Sequence, residues 1–369
     1  MNVRAAVTHA KGATFEVETV QLDAPGAHEV LVKLVASGIC HTDLSVRDQA
    51  KPVPLPAVLG HEGAGVVVEV GRGVTRVKPN DHVIMSYGSC GHCRNCRGGA
   101  PYLCSDMYEL NFAGTMPDGT HRIHLGGEAV STFFGQSSFG AYAVVPDRNL
   151  VLVNSSLPLR TLAPLGCGVQ TGSGIVLNRL NCQPGESLVV FGCGTVGLSA
   201  VMAGRTRQLD VIAVIDLNPE RLALARELGA THVLNAAEFE TGRQVTETLV
   251  NQTRGGFDYA IDAVGSPNIL ESCVASVRMG GTAVLVGGTA LGTKASIDMN
   301  TLLFGRTLTG VVEGDSVPEV FIPQLIDLYQ RGDFPFDRLI RFYDFEQVNE
   351  AVADMEAGLT IKPVLIFPE

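Results

Sequence analysis

Four cysteines, Cys90, Cys93, Cys96 and Cys104, fall in the spacing C-x2-C-x2-C-x7-C. Thiolates this close in sequence can wrap one zinc ion tetrahedrally, at about 2.3 Å per Zn–S bond. Such a shell leaves no open position, so the site it predicts is structural. An iron–sulfur cluster fits the same spacing. A redox Cys-x-x-Cys pair leaves the other two cysteines unexplained. With four thiolates filling the shell, His92 is expected to face solvent. A second run, Gly192-Cys193-Gly194-Thr195-Val196-Gly197, reads GxGxxG, and Asp216 follows nineteen residues after Gly197. That pattern predicts a dinucleotide site: Gly192 for the tight turn, Gly194 for close approach of the pyrophosphate, Gly197 for helix–strand packing. The carboxylate of Asp216 suits two ribose hydroxyls and repels a 2′-phosphate, which favours NAD over NADP.

Three further candidates, Cys40, His61 and Cys167, are far apart in sequence. A Cys2His set leaves a tetrahedral zinc with one position open. Spacing does not separate these three from Cys182, Cys193 and Cys273, and a lone cysteine is usually a small buried apolar residue.

The elements that must hold these groups differ along the chain. Up to about residue 160, short alternating runs such as Glu29-Val30-Leu31-Val32-Lys33-Leu34-Val35 read as strands and turns. The apolar run 187–191 reads as a parallel strand buried on both faces. It leads into GxGxxG and a helix, as the dinucleotide fingerprint requires. The next strand is 211–215, and Asn218-Pro219 fits an N-cap and first helical position, with Gly229 as the C-cap. Strands at 259–261 and 282–286 with helices between them imply right-handed crossovers and a doubly wound parallel sheet. The tail reads as helix 320–330, strand 339–342, helix 345–357 and strand 364–367, placed to return to the first domain.

Around the candidate ligands the chain resembles the medium-chain dehydrogenase/reductase family. The resemblance lies in Gly60-His61-Glu62-Gly63-Ala64-Gly65 with Gly71 and Val74, in Cys40-His41-Thr42-Asp43, and in Gly166-Cys167-Gly168-Val169-Gln170-Thr171-Gly172. The order of segments matches over essentially the whole chain. Phe133-Phe134-Gly135-Gln136-Ser137-Ser138-Phe139 is similar to the benzyl (aryl) alcohol dehydrogenase branch. The resemblance implies an α/β chain with a β-rich GroES-like catalytic domain over 1–165, carrying the zinc lobe 88–106. A Rossmann NAD-binding domain over 166–308 and a return of 309–369 to the catalytic domain complete it. It also implies two zinc ions per subunit and NAD. Cys40, His61 and Cys167 would hold the catalytic zinc, Asp43 would orient His61, and Glu62 would enter the shell during exchange. Thr42 would take the alcohol proton. His41, Thr171, Thr195, Val196, Arg221, Val264, Val286 and Lys362 would meet the cofactor. Tyr87, Phe133 and Phe134 would wall the substrate pocket, favouring aromatic or allylic primary alcohols over ethanol, since each buried CH2 is worth about 0.8 kcal/mol. Many relatives carry a histidine at the end of the proton relay where this chain has Ser45. Either Ser45 through water or His41 would complete that relay.

A net charge of −11 with no Lys/Arg run argues against nucleic acid and anionic membranes as partners. No stretch approaches 18 apolar residues, so no membrane span is expected. Nine cysteines with no apolar leader point to a reducing cytoplasm and to metal rather than disulfides. Relatives form dimers or tetramers through sheet edges, and the long stretch between Cys104 and Phe133 favours a dimer. The rival readings are a glutathione-dependent formaldehyde (S-hydroxymethylglutathione) dehydrogenase, a sugar-alcohol dehydrogenase, and a non-catalytic zinc- and NAD-binding protein.

Overall fold

The fold was obtained as a computed structural model, which describes residues 1–239, 242–253 and 255–368. The chain forms two compact units: Met1–Gly168 with Ser316–Ile326 and Asp337–Glu369, and Val169–Asp315 with Asp327–Phe336.

The first unit opens with β1 (Asn2–Thr8), β2 (Glu16–Leu22) and β3 (Glu29–Gly38). After the helix His41–Arg47 come β4 (Ala57–Val58), β5 (Glu62–Val70) and β6 (His82–Met85). Then follow β7 (Ile123–Leu125), β8 (Glu128–Thr132), β9 (Tyr142–Pro146) and β10 (Leu150–Val153). β1, β2, β7, β8 and β4 close into a barrel. The barrel faces its apolar residues inward, among them Val7, Val20, Val58 and Val130.

The second unit holds β11 (Ser187–Phe191), β12 (Val211–Asp216), β13 (His232–Asn235), β14 (Phe257–Asp262), β15 (Val277–Leu285) and β16 (Thr307–Gly310). All are parallel, in the order β13-β12-β11-β14-β15-β16. That is the doubly wound nucleotide-binding order. Leu188, Val189 and Val190 have no exposed surface, which explains the unbroken apolar run: both faces of β11 are covered. The helix Pro219–Leu228 begins as its sequence dictates, with Asn218 Oδ1 accepting from the Glu220 and Arg221 N–H groups. It ends at Gly229, whose φ of 128° lies outside the range of ordinary residues.

The tail returns to the first unit through β17 (Ile340–Asp344) and β18 (Lys362–Ile366). β18 lies between β3 and β17, so the second sheet of that unit runs β10-β6-β5-β3-β18-β17, with β9 also paired to β3. The expected helix 345–357 is a 3-10 turn Phe345–Gln347 followed by an α-helix Val348–Glu356. Asp344 and Gln347 form a capping box at its start, which is why the turn tightens there. Among the described residues, no helix is long and apolar enough to cross a membrane.

Candidate functional site

Cys40 is the N-cap of the helix His41–Arg47, in extended backbone at the end of β3. Asp43, one turn on and fully buried, makes three bonds. Its Oδ2 accepts from the Cys40 N–H at 2.9 Å; its Oδ1 accepts from the Gly60 N–H at 3.0 Å and pairs with His61 Nδ1 at 2.9 Å. One carboxylate thus fixes the cysteine, the turn before β5, and the tautomer of the histidine. With Nδ1 donating to Asp43, His61 Nε2 carries the lone pair. That atom is buried and has no hydrogen-bond partner.

Ligand atoms of Cys40, His61, Glu62 and Cys167 all lie within 4.8 Å of one another. Two thiols, an imidazole and a carboxylate are a zinc donor set, and the orphaned Nε2 is what such an ion would satisfy. The electrostatics agree. Hydrogen bonding from Cys167 outweighs burial and holds the Cys40 thiol well below its usual range, with His61 adding to the effect. Burial opposes charge on His61, but Asp43 and Cys40 together overcome it and push the imidazole well above its ordinary value, so a cation at Nε2 would take the place of a proton there. Thr42 Oγ1 lies 3.8 Å from Cys40 Sγ.

Glu62 is held away from solvent by Lys362, whose Nζ donates to Oε1 at 2.9 Å, to Oε2 at 2.8 Å and to the Ile39 carbonyl at 3.0 Å. The Gly168 N–H also donates to Glu62 Oε1. Lys362, expected at the cofactor, is engaged with Glu62 and the Ile39 carbonyl. It is only 2 % exposed and its three donors are all taken, because a buried ammonium requires a counter-charge. Spacing carried no sign of this pair, since its members meet only through the pairing of β18 with β3.

Phe133 and Phe134 pack on the His61 ring, with centroids 5.4 and 4.7 Å away, and both are buried. Tyr87 is placed differently: it too is buried, and its hydroxyl donates to the Ser316 carbonyl at 2.6 Å. Ser45 Oγ donates to the His41 carbonyl at 2.9 Å, and His41 is exposed.

The four-cysteine lobe converges as its spacing predicts, with all four sulfurs within 4.8 Å of one another. Backbone N–H groups of Cys90, Cys93, Cys96 and Asp106 point at the sulfurs of Cys104, Cys90, Cys93 and Cys104. Such donors stabilise thiolates; the Cys96 N–H leads in drawing Cys93 down to about 5. His92 is exposed and bonds the Cys90 carbonyl, as expected. None of the nine cysteines is in a disulfide.

In the second unit, Gly192 sits at φ 100° and a Cβ on Gly197 would stand 1.9 Å from the Gly192 carbonyl oxygen. Nothing lies within 4 Å of a Cβ built on Gly194. The helix Thr195–Thr206 starts without a side-chain cap. An open glycine before an uncapped helix start is the cradle a pyrophosphate fits. Asp216, at the end of β12, accepts from the Cys193 N–H at 2.6 Å and the Asn218 N–H at 2.8 Å. A Cβ on Gly172 would meet the Val196 carbonyl oxygen at 2.0 Å, so the segments carrying Thr171 and Val196 are close neighbours. Val264 packs beside Gly192 and is half exposed, Val286 is partly buried, and Arg221 lies in the first turn after Asn218.

Known proteins are similar to this chain in sequence and fold. Residues 26–155 match the alcohol dehydrogenase GroES-like domain and residues 195–331 the zinc-binding dehydrogenase family. Geraniol dehydrogenase of Castellaniella defragrans is 44% identical over 370 residues, covering 100% of this chain and 98% of that protein. The crystal structure of an alcohol dehydrogenase zinc-binding domain protein from Burkholderia ambifaria superposes with a TM-score of 0.96 at 49% identity, covering all of both chains. That of benzyl alcohol dehydrogenase from Acinetobacter calcoaceticus gives 0.95 at 44%, again over both full chains. With its GroES-like and Rossmann units and its two thiol-rich clusters, the chain belongs to the zinc- and nicotinamide-dependent alcohol dehydrogenases of the medium-chain family.

Proposed function

We propose that this protein oxidises primary alcohols of aromatic or allylic type to aldehydes with NAD, reversibly. The observation that carries the reading is the convergence of Cys40, His61 and Cys167 with an unpartnered imidazole nitrogen. Residues 1–165 with 309–369 would form the catalytic domain and 166–308 the dinucleotide domain. The substrate class is supported by the kinship to a geraniol and a benzyl alcohol dehydrogenase, and by the Phe133 and Phe134 rings packed on His61, with the Phe112 ring against both. NAD rather than NADP is supported by Asp216, whose charge opposes a 2′-phosphate. Arg221, Thr171, Thr195, Val196, Val264 and Val286 would line that site.

Cys40, His61 and Cys167 would hold one zinc, and Cys90, Cys93, Cys96 and Cys104 the other. When bound, the catalytic zinc supplies Lewis acidity toward the alcohol oxygen and the dinucleotide the redox capacity. The chain's own residues do the rest. Asp43 keeps the His61 ring in one tautomer and orientation. Lys362 holds Glu62 in reserve beside the thiols. Thr42 takes the hydroxyl proton, and exposed His41 passes it to solvent. Ser45 is less suited to that step, since its own proton is engaged on the His41 carbonyl. The four-thiolate site must stay reduced, which supports a cytoplasmic setting.

We also propose a homodimer formed at the free edge of β16. Met279, Met299, Leu303 and Phe304 are 51–84% exposed around it, and an open edge flanked by apolar surface is a template for a second copy.

The test of function is an alcohol panel followed at 340 nm with NAD and NADP. Benzyl alcohol and geraniol should give kcat/KM at least about tenfold above ethanol, as several buried CH2 groups require. Faster turnover of ethanol, a preference for NADP, or formaldehyde oxidation that needs glutathione would each defeat the reading.

A further inference from the structure

The segment 133–139 carries more than aromatic rings. Phe134, Gly135 and Ser137 all adopt left-handed backbone, at φ 53°, 58° and 48°. For phenylalanine that conformation is unfavourable and persists only where the surroundings impose it. Here the surroundings are the approach to His61. Ser137 Oγ donates to the Val58 carbonyl, the Ser138 N–H to the Gly60 carbonyl, and the Phe139 N–H to the Leu59 carbonyl. The strained loop is therefore stitched residue by residue to the three positions that precede Gly60-His61 or include it.

Within the loop, Gln136 is 1 % exposed and its amide is committed. Oε1 accepts from the Gly63 N–H at 3.2 Å. Nε2 donates to the His61 carbonyl at 3.0 Å and to the Ser86 carbonyl at 3.3 Å. Ser86 Oγ in turn donates to the carbonyl of Gly166 at 2.8 Å, the residue before Cys167. One amide and one hydroxyl thus join the backbone of the histidine to the backbone beside a cysteine more than a hundred residues away. The hydrogen bonds of the Gln136 amide go to backbone groups rather than to the donor atoms of the site.

We propose that Gln136 is a positioning residue for the Cys40–His61–Cys167 centre: it locks the His61 backbone to the strand end at Ser86, so that the ligands are held in place before a metal arrives and release it slowly afterwards. The proposal rests on the reading of that centre as a zinc site. Fixed ligands slow metal loss because no ligand can swing away without breaking a buried hydrogen bond.

The experiment is zinc release from the purified holoenzyme into excess 4-(2-pyridylazo)resorcinol, recorded as absorbance against time. The parent should lose two zinc ions per chain in separable phases, one from each site. Methyl methanethiosulfonate blocking of the lobe cysteines, followed by mass spectrometry, assigns the phases. Gln136→Ala should speed the His61-site phase by about tenfold, within the range for residues that orient metal ligands, and leave the four-cysteine phase within about twofold. Gln136→Glu, which places a carboxylate against two carbonyls, should release at least as fast. Asn111→Ala removes another buried amide, one bonded to the Gly88 backbone, and serves as the control for general loosening; it should leave the His61-site phase at the parental rate. Equal acceleration of both phases by Gln136→Ala, or none, would overturn the proposal. A parent that binds only the four-cysteine zinc would defeat the proposed function as well, and this is read before any variant is compared.

Discussion

At the residue scale the centre is distinguished by environment rather than by residue type. Cys182, Cys193 and Cys273 are as buried as Cys167, but each is pushed up by burial, Cys182 to about 12. Cys40, by contrast, is drawn well down, by Cys167 and His61. That difference depends on neighbours brought in from remote strands, so local sequence could not reveal it; resemblance to a family was needed to pick the set. Asp43 was legible by the same route, but its two extra bonds to backbone N–H groups were not. Asp262, in the second unit, offers a pH test. Its Oδ1 accepts from the Val264 and Gly265 N–H groups, while its buried Oδ2 has no partner. Burial pushes its carboxyl up from the ordinary value. The folded state therefore favours the protonated form, and ionisation penalises folding as pH rises from the unfolded value of about 3.9 through the raised one. Asp262→Asn cannot ionise. The difference in Tm, variant minus parent, should grow as the pH is raised from about 4 towards neutrality; a constant or shrinking difference would show that the carboxyl is not held up.

Elements were most legible where both faces are covered or where caps are explicit. The run at β11 and the Asn218-Pro219 start with its Gly229 stop are local signals, and the structure reproduces them. The apolar run predicts a strand from residue 282, whereas β15 begins at Val277. Its opening Val277-Arg278-Met279-Gly280-Gly281 has no apolar run. It pairs with β14 across a register shift, with Arg278 bonded to Asp258. Pairing of that kind rests on a partner strand and leaves no periodic trace. The proposed dimer is decided at this level. In β16, Thr309 pairs on one side with Val284 of β15. The other side of the strand is where a second copy would add. Thr309→Lys with Leu308→Lys places charge along that edge, a known way of blocking strand addition. Light scattering should then give the 39.0 kDa of one chain in place of about twice that mass. A parent that already runs at 39.0 kDa removes the dimer proposal.

For the whole molecule, the class of fold could be read from alternation giving way to strand–helix repeats, and the return of the tail to the first unit was expected, but the strands that it joins could not be read. Which strands the last residues join is set by long-range pairing, such as Val364 with Gly38. The two metal centres also differ at this scale. The four-cysteine lobe has little apolar burial of its own, with Cys93, Cys96 and the glycines around them mostly exposed or partly so, so metal must supply much of its order. The other centre sits in a core that is already packed. Elemental analysis of the fully loaded protein should give two zinc ions per chain. Removing both should lower Tm by at least about 4 °C, as a loss of a few kcal/mol implies for a chain of this size. Zinc content of one or less would dismantle the two-site reading.

Because β18 threads between β3 and β17, the first unit is closed by a strand that follows the whole of the second unit in sequence. During synthesis the Rossmann unit has almost all of its strands outside the ribosome while the amino-terminal sheet still shows an empty slot along β3. Lys362 travels with that strand, so Glu62 waits in the nascent chain without its counter-charge until the strand has been synthesised. A stop codon placed just before residue 362 should therefore yield a chain with a sound nucleotide fold and a catalytic half that never closes.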